Sequence, residues 1–320
     1  MQVSFPIPRA CRILAAAFLI VSITGAARAQ NSKIHSATLT WNPPNTDGKI
    51  ADLSDTPPCS LPDVMKQAED SATALVDNLQ RFDALELSQS KTEIPDTSTL
   101  VSSEARFDFT AEFSEKNGFL ALKESRLELD HKDSNAAQLE DVGVPALALI
   151  FHPLYSVDFI FQCDGAAQWN SQPAWVVAFR QIKGRPSRLM AFHTSTGSFG
   201  AKLKGRGWIA RDSGQILHLE LNLIEPIGLI GLLSNAVSID YAPVQFHSSN
   251  VTLWLPQTAV TYSQYDKYQL IKRHAYSDFQ LFSVGTQSVI EKPKIPGAQQ
   301  TVPSGAKPDD KPNPAAQPKP

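Results

Sequence analysis

The groups in this 320-residue chain that could do chemistry are seven histidines, a few hydroxyls near acids, and scattered carboxylate pairs. None of His35, His131, His152, His193, His218, His247 and His274 stands in an H-x-H or H-E-x-x-H pattern, or beside a cysteine at ligand spacing. No metal site is therefore expected. His274, Ser277 and Asp278 suggest a nucleophilic triad. On an extended strand, however, Ser277 and Asp278 point to opposite faces, and His274 and Asp278 lie about 13 Å apart. The three meet only if the chain bends sharply there. Ser198 and Ser213 sit in TGSFG and RDSGQ, and neither is a G-x-S-x-G elbow. Glycines 197, 200, 205, 207 and 214 open no helix, so they read as strand and turn glycines rather than a phosphate loop. Glu140–Asp141 and Asp309–Asp310 read as solvated charge. No catalytic residue and no cofactor is expected, and the chain reads as non-enzymatic.

Apolar surface is what remains. Phe107, Phe109, Trp175, Trp208, Leu229, Leu232 and Trp254 form the candidate lining of an apolar groove, with a plain core as the competing account. Leu229 and Leu232 belong to an apolar run, 224–237, that holds Gly228 and Gly231 and is too short to span a bilayer. It reads as a buried crossover or short helix, or else as an apolar lip over a groove or partner site.

The elements that position these residues are mostly strands. Lys202–Leu223 is the clearest hairpin: Asp212-Ser213-Gly214 supplies the turn, and the second arm has a period of two. Ile216, His218, Glu220 and Asn222 share one face there, and Leu217, Leu219, Leu221 and Leu223 the other. Gly205 and Gly207 beside Trp208 suggest a closely approached strand. A helix of about five turns follows Ser60, with Ser60 as N-cap and Pro62 in the first turn. Leu61, Val64, Met65, Ala68, Ala72, Leu75, Val76 and Leu79 form its apolar stripe. Val144–Phe151 reads as a second, short helix tucked against the sheet. About ten strands joined mostly by short turns imply antiparallel neighbours.

Apolar residues make up 42% of the chain and charged residues 19%, enough apolar matter for a sizeable core. Residues 1–29 read as a Sec-type signal peptide: Arg9 and Arg12, the apolar run 13–21, and a small-x-small site at Ala27-Arg28-Ala29. Cleavage near Ala29 makes the protein periplasmic or secreted, with no permanent membrane anchor. It also leaves 26 of the 29 basic residues against 32 acidic ones, a net charge of −6. With no dense basic patch, nucleic acid and electrostatic docking to anionic lipid are disfavoured. Cys59 and Cys163 remain, and in an oxidising compartment they read as one disulfide, the alternative being two separate thiols. Residues 30–58 read as a flexible polar leader, 59–290 as the folded domain, and 291–320 as a disordered Pro-rich tail.

The hairpin Gly205-Arg206-Gly207-Trp208-Ile209-Ala210-Arg211-Asp212-Ser213-Gly214 is similar to the G-x-W-x-D-x-x-x-G hairpin of the half-barrel family of envelope carriers, the Lol-type lipoprotein-sorting proteins and related envelope sensors. Ala210 stands where an acid is usual in that hairpin. The pieces CSLPDVMKQAED, FQCDG with AWVVAFRQ, LKGRGWIARDSGQILHLE, NVTLWLPQTA and RHAYSDFQLFSV also resemble secreted proteins of acidobacteria over about residues 59–290. Those proteins hold both cysteines, so this second resemblance implies the Cys59–Cys163 pairing. The carrier resemblance implies a mainly β fold: an incurved antiparallel sheet, or half-barrel, with one long amphipathic helix and one short helix packed on it. It implies an apolar ligand (an acyl chain, a lipid or a lipidated partner) in the concavity. The alternative is an envelope structural or interaction protein with a closed core and a protein partner.

Overall fold

The computed structural model describes residues 36–79, 81–116, 119–129, 140–195, 197–246 and 250–282. The stretch read as a signal peptide, the loop 131–138 and the Pro-rich tail lie outside the described residues. The chain divides into two units, the first ending at Ser283.

The first unit is mainly β. Thirteen described strands are β1 (Arg81–Ile94), β2 (Thr99–Lys116), β3 (Phe119–Glu128), β4 (Glu140–Val142), β5 (Phe159–Trp169), β6 (Gln172–Gln181), β7 (Ala191–Thr194), β8 (Gly197–Gly200), β9 (Leu203–Ala210), β10 (Ile216–Leu223), β11 (Leu232–Phe246), β12 (Val251–Tyr265) and β13 (Gln269–Phe282). Ten of them form one antiparallel sheet in the order β3-β2-β1-β13-β12-β11-β10-β9-β6-β5. It is incurved and does not close, so β3 and β5 are its edges. Strands β4, β7 and β8 make a second, small sheet.

The long helix α1 (Leu61–Asn78) forms where its apolar stripe predicts, and it buries Val64, Ala68 and Ala72. Ser60 holds the N-cap position but makes no side-chain capping bond. Pro62 removes the N–H that such a cap would take at the second helical position. The short apolar segment Val144–Phe151 is a 3-10 helix, all eight of whose residues are buried, followed by the single turn α2 (Pro153–Ser156).

Cross-strand register separates the two faces of the sheet. Val177, Gly207, Leu219, Ile239, Ala259, His274, Ser88 and Ala105 form one continuous row, on the inner face against α1 and the 3-10 helix. The row of Val176, Trp208, His218, Asp240, Thr258, Ala275, Leu87 and Arg106 lies on the outer face. Gly207 is where the Phe151 ring meets the sheet: a Cβ there would stand 3.0 Å from that ring. This is the close approach that the glycines beside Trp208 predict.

Several expectations are corrected. A register shift between Ile216 and His218 turns Ile216 into the main core and Leu217 onto the outer face, against simple alternation. The run 224–237 is neither a crossover nor a core helix. Residues 224–231 are the turn between β10 and β11, closed by one 3-10 turn at Gly228–Ile230 with Gly231 left-handed, and residues 232–237 begin β11. Strand β12 runs unbroken through Pro256, because Pro256 falls at a register shift opposite Tyr241, where a missing N–H is tolerated. The expected disulfide, by contrast, is present, between Cys59 and Cys163.

Residues 36–58 contain no regular element but are fastened to the sheet. Thr46 donates its N–H and hydroxyl to Asn222 Oδ1, at 2.9 and 2.6 Å. Arg206 donates to the Gly48 carbonyl at 2.9 Å, and Lys204 pairs with Asp47. Ser54 exchanges two backbone hydrogen bonds with Ala166 on the β5 edge.

Candidate functional site

The expected apolar lining does not converge on one groove. Phe109 is fully buried on the inner face of β2, beneath the Arg126 guanidinium at 4.8 Å, and Phe107 is half-buried on the same face. Trp175 is half-buried on β6, several strands away, with the Arg211 guanidinium 4.7 Å above its ring. Leu232 is buried in the main core, whereas Leu229 stands in solvent. Trp254 is half-buried and touches both the main core and the outer cluster. Trp208 faces outward, packed with Ala174, Val176, Ala210 and Leu217 and covered by Ile50.

A cleft of about 350 Å³ opens elsewhere, at the seam between edge strand β3 and the segment from the 3-10 helix to α2. Leu120 and Leu122 form one wall, Ala146, Leu149 and Tyr155 the other, and Leu189 and Met190 close it. Behind it lies a narrow apolar gap of about 10 Å³ that shares Leu122, Ala146 and Leu149 with it and continues to Leu79, Phe82 and Trp254. Two hydrogen bonds hold the seam. Tyr155 Oη donates to the Leu120 carbonyl, and the Gly143 N–H donates to Glu124 Oε1 at 3.1 Å. Arg188 stands at the rim, its guanidinium bonded to Asp158. Sequence reasoning missed this cleft. The signal was present in the alternation of Leu120 and Leu122 before Glu124, and in the apolar run 144–151, but nothing linear says that the two meet.

The titratable groups gather in two places, neither of which the linear sequence marks. On the inner face Glu86 is fully buried and receives His274 Nδ1 at 2.5 Å and Arg126 Nε at 2.8 Å. Arg126 also reaches Glu124 at 3.4 Å. Burial pushes the Glu86 carboxyl up, but His274 and Arg126 outweigh it and hold it below the ordinary range. At Glu124 burial wins and the carboxyl is raised. On the outer face His218 is stacked on Trp169, with ring centroids 3.6 Å apart, and its Nδ1 lies 2.9 Å from Asp240. Burial lowers its pKa, yet Asp240 and Glu220 together raise it.

Both acid–histidine pairs could orient an imidazole, but no hydroxyl or thiol hydrogen-bonds either ring among the described residues. The suspected triad does not form. The chain bends at Asp278 (φ +52°), Ser277 Oγ donates to Asp278 Oδ2 at 3.3 Å, and His274 turns to Glu86 instead. No group of three metal-ligating side chains is present among the described residues. No described helix is long and apolar enough to cross a membrane.

No protein-family profile and no curated protein matches the chain. Solved structures do. A DUF1329 family protein from Desulfovibrio piger aligns at 10% identity and TM-score 0.36, over 69% of this chain and 94% of its own. An outer membrane lipoprotein-sorting protein domain from Vibrio parahaemolyticus aligns at 11% and 0.38, over 70% and 95%. A LolA superfamily protein from Nitrosomonas europaea aligns at 10% and 0.34, over 71% and 95%. At these scores nothing about function passes from them to this chain.

Proposed function

We propose that this is an exported, non-enzymatic envelope protein that binds one apolar chain, of an acyl group, a lipid or a lipidated partner, in the seam between β3 and the 3-10 helix. The observation that carries the reading is the cleft of about 350 Å³ with apolar walls, open to solvent and sharing Leu122, Ala146 and Leu149 with a narrow apolar gap. That volume sits at the low end of ligand sites, roughly 300–1,000 Å³, and suits one alkyl chain better than a whole lipid. The acid–histidine pairs are then structural.

One observation favours the alternative, a closed-core structural or interaction protein. The 3-10 helix fills the concavity, and the gap behind the cleft has room for about one water. Titration with a fluorescent long-chain fatty acid, together with native mass spectrometry of the protein purified from its host, separates the two. The cleft reading expects saturable binding or a co-purifying lipid, and about a tenfold loss of affinity in Leu122→Trp, which fills the cleft from a half-buried wall position. No saturable binding, or undiminished binding in a folded Leu122→Trp protein, leaves the closed-core reading.

A further inference from the structure

A second depression, open and about 580 Å³ in volume, lies where the start of α1, the β9–β10 turn and the start of β6 meet. It shares no lining residue with the cleft or the narrow gap. Its walls are fastened to one another. The Ser71 hydroxyl donates to the Ser213 carbonyl at 3.2 Å, and a Cβ on Gly214 would stand 2.7 Å from Gln67, so the β9–β10 turn is seated on α1. The Arg211 N–H donates to the Pro173 carbonyl at 3.1 Å, which joins that turn to β6. The disulfide at Cys59 ties the residues just before α1 to β5. The bowl is therefore preformed.

Trp175 lies in this bowl with its ring half-buried, and Ser60, Asp63, Gln67, Arg211 and Asp212 stand around it, all exposed. Exposed polar side chains are ordinary. Here five of them, from two segments far apart in sequence, converge on one indole. None of the five side chains hydrogen-bonds another group among the described residues. Ser60 leaves its hydroxyl unspent at the N-cap, and Arg211 has no acid partner there, its guanidinium lying 4.7 Å over the Trp175 ring. The arginine at the rim of the cleft, by contrast, is already bonded to Asp158. Two carboxylates against one guanidinium give the bowl no positive excess, which disfavours an anionic ligand. A cationic ligand would compete with Arg211 for the ring. The set matches a neutral ring compound with an apolar face and hydroxyls at its edge. The indole takes the C–H face, and the carboxylates, amide and guanidinium offer paired acceptors and donors to adjacent hydroxyls.

We propose that this bowl binds a short neutral saccharide, with one pyranose ring packed on Trp175 and its hydroxyls held by Asp63, Gln67 and Asp212. Arg211 leaves the ring as the sugar arrives and donates to it instead, since an exposed cation–π contact is weak enough to be exchanged. The volume lies within the range of small-molecule sites. The proposal does not depend on the cleft. The test is isothermal titration calorimetry of the signal-free full-length chain with cellotriose, maltotriose and chitotriose, and with trigalacturonate as an anionic probe. At least one neutral trisaccharide is expected to bind saturably, with Kd of about 1 mM or tighter. Trigalacturonate should bind more weakly at low salt, where the two carboxylates are least screened. Asp212→Ala removes an exposed side chain with no protein partner among the described residues. It should leave the melting temperature unchanged and weaken binding about tenfold. Trp175→Leu keeps apolar bulk but loses the flat ring, and should also weaken binding about tenfold in a protein with wild-type circular dichroism. If none of the three neutral trisaccharides binds, if trigalacturonate binds more tightly than they do, or if Asp212→Ala binds like wild type, the proposal is wrong. Failure here with fatty-acid binding intact leaves the cleft reading standing, and the reverse result leaves the saccharide site standing.

Discussion

Replacing Arg126 with methionine tests the account of the inner face most directly. Arg126 is mostly buried and is shared by two carboxylates, Glu86 on β1 and Glu124 on β3, at 2.8 and 3.4 Å. Methionine keeps the bulk over Phe109 and removes the charge. Glu86 keeps His274, but Glu124 keeps only the Gly143 N–H among the described residues, and each acid raises the other's cost of ionisation. Removing one member of a buried charge network costs about 3–5 kcal/mol, because the penalty is the uncompensated charge rather than the lost attraction. The pH dependence has a definite sign. Without Arg126 both carboxyls rise, and a group whose folded pKa lies above its unfolded value favours the folded state as pH falls. The deficit of Arg126→Met should therefore be largest near pH 7.5 and shrink toward pH 5. Adding Glu124→Gln should recover part of it at pH 7.5. Urea denaturation followed by near-UV circular dichroism at the two pH values measures this. A variant within about 1 kcal/mol of wild type at pH 7.5, or a deficit that does not shrink at pH 5, refutes the reasoning.

Two further outcomes follow from the structure. The Cys59→Ser/Cys163→Ser protein should lose about 4.7 kcal/mol by the chain-entropy relation, given a sequence separation of 104 residues, and reductant should cost wild type the same free energy, read from the fall in its urea midpoint multiplied by the m-value. His218, held up by Asp240 and Glu220, contributes stability that is fully present below about pH 6.5 and is lost as pH rises through its raised folded value. His218→Gln should flatten the dependence of melting temperature on pH between 6 and 9, and an unchanged slope would show that another group carries it.

Much of the sheet was legible because its strands have a period of two and its turns carry Gly, Asp and Asn. What alternation does not reveal is which face is inside. Along β9, Trp208 shares a face with Arg206 and Ala210, while Leu203 and Ile209 share the other, and both faces are buried. The reason lies in residues 36–58. Their polar, Pro-rich composition reads as a leader, yet they supply Ile50 to cover Trp208 and backbone carbonyls for Arg206 and Asn222. A strand covered on both faces offers no polar–apolar contrast to orient it, so the tryptophan expected in the concavity lies on the far side of the sheet.

The site was less legible than the fold because its parts are joined by pairings far apart in sequence. His274 and Glu86 are separated by 188 residues, and Arg126 reaches Glu86 across the whole of β2. Their place beside the cleft has a physical reason. The inner face of β3 reads Leu120, Leu122, Glu124, Arg126, passing from apolar to ionic along one strand. An edge strand has a sheet neighbour on one side only, so its position over the interior needs other restraint. Arg126 provides it by bonding across β2 to Glu86, and Glu124 by accepting from Gly143 at the start of the 3-10 helix. The ionic half of the inner face thus sets how far β3 stands from the helix, and that distance sets the width of the apolar cleft. On this argument Arg126→Met should change fatty-acid affinity as well as stability, although Arg126 does not line the cleft, whereas His218→Gln on the outer face should change stability alone.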